Sequence, residues 1–332
     1  MGSKFTLRLP IEKLRAVAYA RGPGTVLQLD TSRSHDAARG GVVGRNEGNV
    51  TIKKLVKQAF AVLGIEVHRL PPPARDGNRP AELSFTQQMF VEWNAERLHI
   101  SIDESRRRYI DSLTAFQGGH GGAEYRDFDL LCNKVLQVLY GDSEKETFDS
   151  YRFYGAIHFL RFLSYPEAQW TDNDPIVQNL SRRSPITILD FGCGLAQQTR
   201  GLAQHLSQSG RQVVLFLADI PTIRKEFLTW LGTRTNIPTT FLECTPEVPI
   251  PRLPVCDVCF ATEFFEHVHN PLRYFERIHE ALDNEGLLVT NLSDHEREFF
   301  HVSPNLEPLR SRARTLGYEE LRPNTLYRKK AN

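Results

Sequence analysis

The chain from Ser184 to Asn332 predicts an α/β fold built on a mostly parallel sheet, and three observations carry that prediction. Short apolar runs alternate with amphipathic stretches at helical spacing, the pattern of strands buried between two helical layers. The first run, PITILDFGCG, ends in an acid followed by a two-glycine turn. The second, QVVLFLADI, ends in another acid, so two carboxylates fall at neighbouring strand tips.

The first strand closes at Asp190 and turns through Gly192, Cys193 and Gly194, where a bulky side chain would hold the backbone away from a ligand. LAQQTRGLAQHLSQSG follows at once as a helix, so its first amides face the same crevice. The second strand ends at Asp219 and Ile220. A carboxylate there can accept both hydroxyls of a ribose. Pro221 opens the helix PTIRKEFLTWLG, with Ile223, Phe227, Trp230 and Leu231 expected to face inward and Gly232 to end it. TTFLECT is the third strand and DVCFAT, ending at Thr262, the fourth. PLRYFERIHEAL follows as a helix with Leu272, Phe275, Ile278 and Leu282 on its apolar face. NEGLLVTNL gives a turn and the fifth strand. PNLEPLRSRARTLGYEEL supplies a helix ending at Gly317, and NTLYRKK closes the chain as a last strand.

Upstream the patterns differ. Residues 1–49 show little sustained periodicity and read as a poorly ordered extension, with a natural start expected near Val50. Residues 50–183 read as a helical cap. It opens with TIKKLVKQAFAVLG, whose Ile52, Leu55, Val56, Ala59, Phe60 and Leu63 share one face while lysines fall elsewhere. Such a helix docks on its own protein or, as the alternative, lies on an anionic membrane surface. LPPPARDGNRP (70–80) is a proline-rich linker. Within the cap, FDLLCNKVLQVLYG has helical spacing and YRFYGAIHFLRFLSYP is dense in aromatics.

Composition excludes some classes. A formal net charge of +1 gives no global electrostatic reason to expect nucleic acid. No apolar run approaches the roughly 20 residues of a membrane-spanning helix, and the first residues lack a signal-peptide core, so the cytoplasm is the expected compartment. The five cysteines form no disulfide-like framework. Cys256 and Cys259 make a CxxC pair, read as two thiols at the start of a buried strand and not as a redox or zinc site.

Taken together, ILDFGCG, ADI, DVCFATEFFEHVHNP, EGLLVTN and the closing pair around Gly317 resemble the ordered motifs of class I S-adenosylmethionine-dependent methyltransferases. The resemblance spans residues 184–332. It implies a Rossmann-like, seven-stranded, mostly parallel sheet with a terminal antiparallel hairpin, and S-adenosylmethionine as cofactor. The implied cofactor-binding residues are Asp190, Gly192, Cys193, Gly194, Asp219, Ile220, Thr245 and Thr262, with Cys244 beside Thr245 at the adenine edge. One departure is Ala196, where many members carry a third glycine. The arrangement of a basic helix, a helical extension and LADIP also resembles bacterial sugar O-methyltransferases, which implies a saccharide hydroxyl as acceptor.

Glu263, Glu266 and His267 form ExxEH, which resembles the ubiquinone-biosynthesis O-methyltransferases. There the pattern binds a divalent cation that positions a catechol, so a small phenol is the alternative acceptor. EHV before a proline also occurs widely in the superfamily as a structural helix start, and that reading is preferred over metal. A hydroxyl acceptor needs a base, and His267, His295 and His301 follow the fourth and fifth strands, where acceptors sit in this fold. Tyr151, Tyr154 and His158 precede the first motif and read as core packing, with a lid as the alternative. Two other classes compete: a nicotinamide-dependent oxidoreductase, which wants GxGxxG where this chain has Gln197, and a non-catalytic binding module.

Overall fold

A computed structural model describes residues 4–7, 15–20, 25–30, 83–117, 143–157, 159–163, 165, 168–294 and 301–331. The helices expected over 51–63 and 128–139, the 70–80 linker, His158 and His295 lie outside the described residues. The chain forms two compact units, Met1–Ala81 with Asn94–Cys132, and Glu82–Trp93 with Asn133–Asn332.

In the first unit, β1 (Lys4–Leu7), β2 (Arg15–Ala20) and β3 (Thr25–Asp30) form an antiparallel sheet in that order. These strands fall inside the 1–49 stretch for which the sequence suggested little order. The missed signal is local: RAVAYA and TVLQLD flank RGPG, a turn sequence between two β-prone runs. Helix α1 (Phe85–Leu98) begins in the second unit and ends in the first, where α2 (Ile102–Gln117) follows and Asn94 Nδ2 donates to Ser105 Oγ at 3.1 Å.

In the second unit, α3 (Glu144–Ile157), α4 (Phe159–Leu163) and α5 (Pro175–Leu180) precede an alternating series. That series runs β4 (Ile186–Phe191), α6 (Gln197–Gln208), β5 (Val213–Asp219), α7 (Ile223–Arg234), β6 (Thr239–Glu243) and β7 (Cys256–Ala261). It continues through α8 (Pro271–Ala281), β8 (Leu282–Thr290), α9 (Glu307–Thr315), β9 (Glu319–Arg322) and β10 (Leu326–Arg328). The seven strands pair in the order β6-β5-β4-β7-β8-β10-β9. Five are parallel, and β10 runs antiparallel to both β8 and β9. This is the Rossmann-like sheet with a terminal hairpin that the motifs implied.

Strand alternation builds two cores, one on each face. Ile186 and Ile188 of β4, Leu215 and Leu217 of β5, and Val258 and Phe260 of β7 pack with Leu202, Ala203 and Leu206 of α6. Leu189, Phe191, Ala218, Cys259 and Ala261 point the other way, against Tyr274, Phe275 and Ile278 of α8. Both CxxC thiols are buried here, and burial pushes Cys256 up to about 12, so they pack as small apolar groups. Burying each large aliphatic side chain in such layers contributes about 1.5–3 kcal/mol.

The faces of two helices differ from expectation. On α7 the buried residues are Arg224, Phe227, Leu228 and Leu231, so Arg224 and Leu228 replace Ile223 and Trp230. On α8, Tyr274 and Ala281 are buried and Leu272 is exposed. Thr222 caps α7 by accepting from Arg224 N, and the helix runs past Gly232 to Arg234. Parts of the cap also belong to this unit: Phe90 and Trp93 of α1 and Phe159 of α4 make edge-on contacts with Phe227 of α7.

Candidate cofactor and acceptor site

Because β4 lies between β5 and β7, the chain reverses direction across the sheet at that strand, which opens a crevice at the carboxyl ends of the strands. A cavity of about 410 Å³ occupies it, within the roughly 300–1,000 Å³ of small-molecule sites. The glycine turn forms one wall. Gly192 has φ +74° and Gly194 φ +56°, and a Cβ on Gly192 would stand 2.7 Å from Phe264 Cδ2. Only glycine fits there.

Ala196 takes the same left-handed region, at φ 52°, and begins α6 without a side-chain cap. The first turn of α6 thus has no side-chain cap at Ala196, and Ala196, Gln197 and Gln198 line the cavity. Glu263 is also left-handed, at φ 49°, just past β7. Both strained residues line the cavity, consistent with strain held at a working site.

Asp219, at the tip of β5, is held by the loop it faces. Its Oδ2 accepts from Gly194 N at 2.8 Å and its Oδ1 from Ile220 N at 2.7 Å. Each carboxylate oxygen keeps a further acceptor site, so the group can still receive hydroxyls. Asp190 is buried at the end of β4, where Thr199 Oγ1 donates to it at 2.7 Å. Burial pushes its carboxyl up to about 7, against the lowering effect of Thr199 and with a further raise from Asp219.

The folded protein therefore holds the Asp190 proton more tightly than the unfolded chain, whose reference value is 3.8. The stabilisation is complete below about pH 4 and is lost as pH rises through about 7. Urea unfolding of D190N and wild type at pH 5 and pH 8 should shift in favour of the variant at the higher pH. A constant difference would contradict this.

Among the expected cofactor residues, Asp190, Gly192, Cys193, Gly194, Asp219, Ile220 and Thr262 all line the cavity, as does Cys244. Thr245 does not: its amide and hydroxyl close a turn with Val248 just beyond β6. Tyr151 and Tyr154 of α3 line the wall. Arg224 lines it as well and was missed, because a charged residue on a surface helix reads as solvated.

The far wall carries His267. Its Nε2 lies 3.6 Å from Glu266 Oε1, and the His267 and His301 rings have centroids 5.0 Å apart. Ser303 N donates to Glu266 O and Ser303 Oγ to Val268 O, which ties the His301 loop to this turn. Glu266, His267 and His301 each bring one ligand atom within 4.8 Å of the others. Glu263, the remaining member of the expected ExxEH set, is not in that trio and accepts from Asn291 Nδ2 at 2.8 Å. Glu266 is buried, and burial pushes its carboxyl up to about 7.

A doubly wound sheet with a glycine turn and an acid at adjoining strand tips defines a Rossmann-like α/β protein. A family model described as "Methyltransferase domain" matches residues 149–326, more than half of the chain, and the chain belongs to that family. The family implies S-adenosylmethionine, and the residues present fit it: the glycine wall leaves room for the ligand and Asp219 retains acceptor capacity.

No curated protein sequence matches the chain. The solved structures it resembles include the [4+2]-cyclase SpnF, with 15% identity, TM-score 0.35, and coverage of 47% of this chain and 60% of that one. They also include the plantazolicin methyltransferase BpumL in complex with SAH, with 18% identity, TM-score 0.35, and coverage of 56% and 75%. A third is the cyclopropane synthase MmaA2 from Mycobacterium tuberculosis, with 16% identity, TM-score 0.36, and coverage of 49% and 69%. Among the described residues no helix is long and apolar enough to cross a membrane.

Proposed function

We propose that this protein is an S-adenosylmethionine-dependent O-methyltransferase whose acceptor is a small hydroxyl compound, first a sugar or polysaccharide-precursor hydroxyl. The observation that carries the reading is one cavity lined by a glycine turn, by Asp219 and by a histidine that has a buried acid beside it.

The bound cofactor supplies an activated methyl group, so the protein's contribution is alignment and a route for one proton. Asp219 and the glycine loop would hold the adenosyl end, and Asp190 with the α6 N-terminus would serve the amino-acid end. Tyr151, Tyr154 and Phe162 offer flat faces on which an acceptor ring can lie and which exclude water. His267 takes the acceptor proton, and Glu266, when ionised, stabilises the imidazolium that forms. The sugar preference rests on the sequence resemblance.

A second reading, a phenol acceptor with a bound divalent cation, is favoured by the Glu266, His267 and His301 trio.

Mass spectrometry after incubation with methyl-labelled donor and a cell extract tests the activity. Transfer to an oxygen of a saccharide supports the first reading, transfer to a phenol supports the second, and no labelled product contradicts both. His267→Ala should lower kcat roughly 100-fold or more while leaving affinity for S-adenosylhomocysteine within about twofold. His301→Ala should lower kcat comparably only under the metal reading, in which EDTA abolishes and a dication that accepts imidazole ligands, such as Zn²⁺, restores activity. Full activity in both variants, and in His295→Ala, removes histidine from the chemistry.

A further inference from the structure

Arg224 lines the cavity and is left unused by the reading above. It sits in the first turn of α7 and is only 8% exposed. A buried guanidinium is costly unless compensated, so its surroundings should explain it. Its Nε lies 3.3 Å from Thr222 Oγ1, and its Nη2 lies 3.6 Å from Asp219 Oδ2, an ion pair longer than a direct hydrogen bond. Its charged carbon lies 5.8 Å from the centroid of the Phe162 ring of α4. On its other side is Gly155 of α3, where an added Cβ would stand 2.6 Å from Nη2. Gly155 lies inside a helix, where glycine is otherwise unfavourable, and its missing side chain is the space the guanidinium fills.

We propose that Arg224 is a positioning residue for the cofactor: seated in the notch at Gly155, it orients the Asp219 carboxylate and ties that acid to the α3–α4 cap over the cavity. This rests on the methyltransferase reading. The guanidinium is the counter-charge 3.6 Å from Asp219 Oδ2, while the amides of Gly194 and Ile220 occupy one acceptor site on each carboxylate oxygen. The same side chain meets the cap, at Gly155 and Phe162, and the acid that would take the ribose, so disturbing either contact weakens cofactor binding.

The test uses the full chain, S-adenosylhomocysteine by calorimetry, and thermal unfolding in parallel. R224Q should weaken binding roughly tenfold, the scale of one charge-assisted contact. G155A is the decisive variant, since it changes no group near the ligand and exchanges glycine for a better helix former. It should leave the melting temperature unchanged or raised, yet weaken binding by a similar factor, because its new methyl displaces the guanidinium.

In a D219N background neither change should weaken binding further. Wild-type affinity in G155A, or an R224Q effect that persists in D219N, overturns the proposal while leaving the methyltransferase reading intact. Absence of binding by the wild type overturns both.

Discussion

Asp219→Asn is expected to weaken binding of S-adenosylhomocysteine roughly 100-fold, which is about 2.7 kcal/mol. The carboxylate already accepts the amides of Gly194 and Ile220 and still has acceptor sites for two ribose hydroxyls. Asparagine keeps one oxygen and puts an NH₂ donor where the other stood. That donor must face either a backbone N–H or a ribose hydroxyl, and it sits beside Arg224 without the charge that balances it. Each hydrogen bond to a charged group is worth about 1.5–3 kcal/mol, so losing one or two gives the stated factor. Calorimetry reads the binding, and a urea titration separates it from any loss of stability. Affinity within twofold of wild type would show that Asp219 does not hold the ligand.

Gly192→Ala is expected to cost stability and binding together. The residue has φ +74°, a conformation that costs an L side chain about 1–2 kcal/mol. The added methyl would also lie 2.7 Å from Phe264, which is packed against Phe191 and Tyr274 and has little room to retreat. Gly210→Ala is the control, since its φ is +79° but nothing lies within 4 Å of the new methyl. The control should show the backbone cost alone. The site variant should lose about 1–3 kcal/mol more and bind S-adenosylhomocysteine weakly. Equal losses in the two variants would mean that the glycine wall is not close-packed against the fourth-strand loop.

These variants act where the sequence was most readable. The strand tips were legible because each strand is an apolar run that stops abruptly at an acid or a glycine. The motif order then fixed the parallel sheet and its closing hairpin. Face assignment on the helices was harder. Ile223 and Trp230 fit the apolar stripe of α7 as well as Leu228 does. Only tertiary contacts show that Arg224 is buried, its charge met by Asp219 and Phe162. Tyr151 and Tyr154 illustrate the same limit, since an aromatic on a cap helix has one pattern whether it meets a core or a cavity.

The acid and histidine cluster was half visible. ExxEH announced Glu266 and His267 as neighbours. His301 arrives from a loop beyond the fifth strand, tied by Ser303 to the carbonyl of Glu266, a contact with no local sequence signal. Glu263, which the spacing grouped with them, takes a left-handed backbone and pairs with Asn291 instead. Thr245 was displaced by a single residue: the turn that its hydroxyl closes leaves Cys244 as the residue on the wall.

The whole account depends on the crevice between β4 and β5 recognising an adenosyl sulfonium donor and not another nucleotide. Titration calorimetry of the full wild-type chain with S-adenosylhomocysteine, and separately with NADH, measures this directly. Saturable one-to-one uptake of S-adenosylhomocysteine and no uptake of NADH is the expected result. Silence toward the first ligand, or equal uptake of both, would contradict it.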